Sequence, residues 1–175
     1  MQWAAVLIAI VALGFTVFSF WWMQWRVGPL KVSGPSTYAG YAGEKLILLF
    51  PLAIYNAGPV PYVLIDLRFR FRDEPDGSPL DFLRIRSGVN PSDHPKPVDF
   101  AAAFPVPGNE VVRLFCEFER KPADRTMKVG PHPLVLEALT DKATGWQVLL
   151  EFDLFVNEKA EENMPGAFIA HMNRL

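Results

Sequence analysis

Residues Tyr62 to Arg72 read YVLIDLRFRFR, and the alternation in that run decides the class of fold. Val63, Ile65, Leu67, Phe69 and Phe71 share one parity, while Asp66, Arg68, Arg70 and Arg72 share the other. Successive side chains of a strand point to opposite faces, so the run predicts a half-buried antiparallel strand with a charged outer face. Upstream, Lys45 to Tyr55 (KLILLFPLAIY) is a second strand region. Its Pro51 cannot donate to a ladder and therefore marks an edge, a bulge or a split. Asn56-Ala57-Gly58-Pro59 supplies turn chemistry between the two runs.

The same pattern continues downstream. Leu80 to Arg86 is a short strand, and Val98, Phe100, Ala102 and Phe104 share parity in the next apolar stretch. In Glu110 to Arg120, Val112, Leu114, Cys116 and Phe118 take one face, with Arg113, Glu117 and Glu119 on the other. Leu134 to Leu139 forms a strand, joined by the loop Asp141 to Gly145 to Trp146 to Val156, where Val148, Leu150, Phe152, Leu154 and Val156 point inward. All 16 prolines fall beyond residue 25, which disfavours long helices there. Residues 44–156 are therefore expected to form an antiparallel β-sandwich of seven or eight strands. Residues 26–43, rich in Gly, Pro and Ser, read as a tether with a short strand around Lys31 to Ser33.

The beginning of the chain obeys different rules. Residues 3–25 contain no Lys, Arg, Asp or Glu, and their apolar character runs all round the helix they would form. At ~1.5 Å per residue this segment spans roughly 34 Å, enough to cross a bilayer. Four of the five tryptophans bracket it, Trp3 at one end and Trp21, Trp22 and Trp25 at the other, as residues of two headgroup boundaries. The expectation is a single-pass transmembrane helix. A cleaved signal peptide fits less well, since Met1-Gln2 lacks a basic side chain and Phe20 to Trp25 lacks small residues. Arg26 and Lys31 after the helix favour a cytosolic β-domain, with the extracytoplasmic side as the alternative.

The run Leu52 to Pro61, followed by Leu64 to Phe71, resembles the strand–Asn-x-Gly–strand hairpin of bacterial immunoglobulin-like domains. With its anchor, the chain resembles small bacterial membrane-anchored proteins that carry one such sandwich. The resemblance implies an immunoglobulin-like β-sandwich and brings no catalytic residues.

Chemistry is sparse. A formal net charge of −2 gives no basis for nucleic-acid binding. The three histidines, at 94, 132 and 171, are scattered, so no metal site or cofactor is expected. The single cysteine, Cys116, follows the apolar parity of its strand and reads as core. Asp73, Glu74 and Asp76 lie in a polar turn without calcium-loop spacing. Two sets of side chains are candidates for partner binding. One is the Arg68, Arg70 and Arg72 stripe, to be weighed against simple cross-strand pairing with Glu117 and Glu119. The other is the tail, residues 157–175, where Phe168, Ile169, Met172 and Leu175 recur at i, i+1, i+4 and i+7. That spacing predicts a short amphipathic helix lying on the domain, the membrane boundary or a partner. The expected function is a non-enzymatic membrane-tethered interaction domain or an accessory subunit of a membrane complex. The alternative is a small-ligand module using Phe100, Phe104 or Trp146.

Overall fold

The structure, a computed structural model, describes residues 2–86, 97–121 and 125–173. The chain opens with helix α1 (Gln2–Gln24). Strands β1 (Leu30–Ser33), β2 (Thr37–Ala42), β3 (Leu46–Asn56) and β4 (Tyr62–Phe71) follow. Next come β5 (Leu80–Arg86), β6 (Pro97–Phe100), β7 (Phe104–Val106) and β8 (Val111–Arg120). The chain continues through β9 (Gly130–Thr140), β10 (Gln147–Val156), helix α2 (Glu158–Asn163) and β11 (Ile169–Met172).

Among the described residues the strands number eleven rather than seven or eight, and they form one antiparallel sheet curled into a half-barrel. The strand order is β10-β9-β4-β5-β8-β3-β2-β11, with β1 beside β3, β6 beside β5 and β7 beside β4. The extra strands come largely from segments read as connections. β1 and β2 occupy the stretch read as a tether, and both pair with β3. Pro51 explains why they are two strands. β2 pairs up to Leu49 and β1 begins at Ala53, so the residue without an N–H falls in the gap between them.

The core lies on the concave side. Leu67, Phe69, Phe71, Cys116 and Phe118 are buried as the alternation predicts, with Leu150 and Phe152 packed against them. Three expected inward residues are not: Val63 is 40% exposed, Ile65 46% and Val148 55%. Each is displaced by a β-bulge. Leu64 opposes Thr140 and Asp66 opposes Leu139, so Ile65 is an extra residue and every side chain before it changes face. Val63 is thereby exposed, and Tyr62 and Leu64 enter the core instead. In β10 the register slips between Val148 and Leu150, with the same consequence. A third bulge, between Phe82 and Arg84, works the other way, because it keeps Arg84 and Arg86 on the outer face.

Side chains, not a ladder, join the two ends of the curled sheet. Tyr38 Oη on β2 donates to Phe155 O on β10 at 3.1 Å. Asn173 Oδ1 accepts from Phe155 N at 2.7 Å, while its Nδ2 donates to Pro35 O at 3.0 Å. Helix α2, capped by the Asn157 side chain accepting from Ala160 N, seals one end with Ala160 and Met164.

Phe118→Ala is expected to lower the unfolding free energy by about 3–5 kcal/mol, and Ile65→Ala by less than about 1 kcal/mol. Urea unfolding in mild detergent measures both. A loss at Ile65 as large as that at Phe118 would contradict the bulge.

Candidate functional site

The junction between α1 and the sheet is built rather than slack. The Arg26 guanidinium lies 4.6 Å from the Trp22 ring centre, and Arg26 Nη2 donates to Ala57 O at 3.0 Å. Tyr62 Oη donates to Gly28 O at 2.7 Å, and Ala57 N to Pro29 O at 3.1 Å. Gly28 and Gly58 touch backbone to backbone, so a methyl group on either would fall inside the other. Asn56, fully buried, holds the turn that presents Gly58. Its Nδ2 donates to Val60 O at 2.8 Å and to Val106 O at 3.3 Å, and its Oδ1 accepts from Gly58 N at 3.0 Å. Trp3, Trp21, Trp22 and Trp25 are exposed along the helix, which is long and apolar enough to cross a membrane and has none of its span covered by the rest of the protein.

The arginine stripe of β4 is neutralised, but by partners other than Glu117 and Glu119. Arg68 Nε meets Glu137 at 2.6 Å and its guanidinium stacks 4.0 Å from the Trp146 ring centre. Arg70 faces Glu137 at 4.0 Å and donates to Pro75 O, while Arg72 reaches Glu151 at 3.2 Å and Asp153 at 3.7 Å. The reason is strand order: β9 borders β4, and β8 does not. Glu117, buried despite its outward parity, instead takes Arg84 and Arg86 from β5. Glu119 takes Lys45 at 2.8 Å and Lys121 at 2.7 Å.

A second cluster forms at the opposite end of the sheet. Arg125 grips Asp73 with both terminal nitrogens at 2.9 Å, reaches Glu74 at 2.6 Å and stacks 3.9 Å from the Phe71 ring centre. Arg120 meets Glu74 at 3.0 Å. Arg125 also donates to His132 Nδ1 at 3.1 Å, which leaves Nε2 as the protonated nitrogen, donating to Lys128 O at 2.8 Å. The hydrogen bond from Arg125 holds the Asp73 carboxyl below the usual carboxylate range. A cavity of about 380 Å³ lies between this cluster and α2, bordered by Gly43, Arg125, Met127, Glu161 and Met164. Sequence reasoning did not single out Arg125, because its acidic partners lie about 50 residues away and only the fold joins them.

Phe100 stands 75% exposed on β6, Phe104 sits on β7, and Trp146 lies under Arg68, so the cavity is lined by none of the three. Among the described residues no three His, Cys, Asp or Glu side chains gather as a metal site. Burial pushes the Cys116 thiol up to about 12. His94 lies outside the described residues.

The tail departs from its expected helix. Ile169 to Met172 form β11, which pairs with β2 from Ile169 against Gly40 to Met172 against Thr37. The open edge of β2 offers backbone partners that a two-turn helix would leave unused. The buried residue is His171, against the Tyr38 ring at 5.5 Å, while Ile169 and Met172 remain exposed. Phe168, half-buried, lies 5.5 Å from the Arg86 guanidinium. Leu175 falls outside the described residues.

Compared with protein-family models, with curated proteins and with solved structures, the chain matches none of them.

Burial, with Lys159 nearby, holds His171 below the ordinary histidine range. As pH falls, the unfolded chain therefore binds this proton before the folded one. Its stability contribution is whole above the ordinary range and is lost on acidification. Melting temperature should fall between about pH 7 and about pH 5, and His171→Gln should flatten that slope. An unchanged slope in the variant would assign the dependence elsewhere.

Proposed function

We propose that this protein is a membrane-tethered, non-enzymatic interaction domain, acting alone or as an accessory subunit of a membrane complex. The observation that carries the reading is α1, an apolar helix with no protein cover, joined directly to a folded β-domain. Lipid is the environment that satisfies such a helix on every side. Arg26 and Lys31 support a cytosolic domain, the extracytoplasmic side being the alternative.

For the partner surface we favour the apolar side chains that the bulges turn outward. Val63 and Ile65 on β4 and Val148 on β10 flank β9 on the convex face, where a partner that covered them together would bury apolar surface now in water. The arginine stripe supports this role less, since its charges are paired. Phe168, Ile169 and Met172 support own-domain packing of the tail through β11 rather than recruitment by it. The immunoglobulin-like, bacterial kinship is supported by the Asn56-Ala57-Gly58 hairpin alone. A second reading, a small-ligand module, is supported by the cavity beside Arg125.

Two measurements test the proposal. After carbonate extraction the protein should stay with membranes at its full intact mass, whereas a soluble product shortened near residue 25 would make the helix a signal sequence. A detergent pull-down should recover a stoichiometric partner that Ile65→Asp abolishes without lowering the melting temperature. Ligand-dependent melting of a protein without partners would favour the second reading.

A further inference from the structure

We propose that the α1 junction holds one particular pole of the domain against the headgroup layer of the bilayer, the pole made by the β3–β4 turn and the residues around Gly108. This inference rests on the anchoring reading above. It adds an orientation that anchoring by itself does not require.

The argument starts at the end of α1. Trp25 N still bonds to Trp21 O at 2.9 Å, so helical geometry persists to the last tryptophan. The next residue, Arg26, already holds Ala57 O, and within two more residues Gly28 meets Gly58 backbone to backbone. No slack chain separates the helix from the sheet. Whatever depth the tryptophans take at the interface, residues 56–61 sit just outside it.

This pole is itself stiff. Asn109 N donates to Gly58 O at 2.9 Å, and Gly108 lies so close to Pro59 that a methyl group there would overlap the Pro59 carbonyl. The surface it offers combines exposed Val27 and Pro61 with half-buried Pro59, Val60 and Pro107, and its exposed charges are Glu110, Asp141 and Lys142, two acids and one base that can keep their water at the headgroup layer. The opposite pole carries Asp73, Glu74, Arg120 and Arg125. β4 runs from one pole to the other over ten residues, which places them ~33 Å apart. The junction therefore keeps the charged pole and its cavity away from the bilayer, and leaves the outward face of β4 and β10 accessible from the side.

The test uses the full chain in phosphatidylcholine vesicles that contain a headgroup-labelled quenching lipid. Cys116 is buried, so a fluorescent maleimide reports only an introduced thiol. Glu110→Cys places the label at the junction pole, and Asp76→Cys places it at the far one. Quenching should be several-fold stronger at position 110 than at 76. A flexible glycine-serine insertion between Trp25 and Arg26 should collapse that contrast while leaving the domain packing intact. Equal quenching without the insertion, or stronger quenching at 76, overturns the proposal. A contrast that survives the insertion overturns it too, since direct docking rather than the junction would then set the orientation. Protein that fails to sediment with the vesicles refutes the anchoring reading, and the pole assignment falls with it.

Discussion

Four phenylalanines have to meet inside one sheet. Phe50 on β3, Phe69 on β4, Phe118 on β8 and Phe152 on β10 pack with ring centres 4.7 to 6.3 Å apart, several of them edge to face. β3 and β10 lie far apart in the strand order, yet Phe50 and Phe152 are 5.8 Å apart and nearly perpendicular. A flat sheet could not bring them together. Burying these rings is what curls the sheet, and the remaining devices deal with the consequences of that curl. The bulges relieve it, α2 seals its end, and Tyr38 with Asn173 satisfies the Phe155 backbone where the two ends face each other.

The antiparallel β class was legible because alternation is local. Leu67, Phe69, Phe71, Cys116 and Phe118 could be assigned to the core from spacing alone, and they are there. Ile65 and Val148 could not, since a bulge is one extra residue whose cause is the partner strand and the curvature of the sheet. Parity counting carries across a bulge with the wrong sign. The tail shows a different limit. Phe168, Ile169 and Met172 fit a helical stripe, but the unfilled edge of β2, invisible in the sequence, decides for a strand.

The candidate site divides in the same way. An apolar helix ringed by tryptophans is a matter of composition, so the apolar α1 was fully readable. The contact of Gly28 with Gly58 was not, because it joins residues that neither motif nor period connects. The same holds for the ion pairs. That Arg68, Arg70 and Arg72 are balanced follows from having acids on outer faces, but which acids depends on strand order. Glu117 makes the point most clearly. Read as an outer-face partner for the β4 arginines, it is buried between Arg84 and Arg86, where losing both cations would leave an uncompensated charge.

Were the joint held by Arg26, Tyr62 and the Gly28–Gly58 contact to move as one piece, helix and domain would act as a single lever. In a membrane, a helix tilt of ~20° would carry the far end of a ~33 Å body sideways by roughly 11 Å. A change of bilayer thickness, or a neighbour that leans on α1, would thus be converted into travel at the Arg125 end with no rearrangement inside the sheet. The Gly28–Gly58 contact would sit at the fulcrum of that lever.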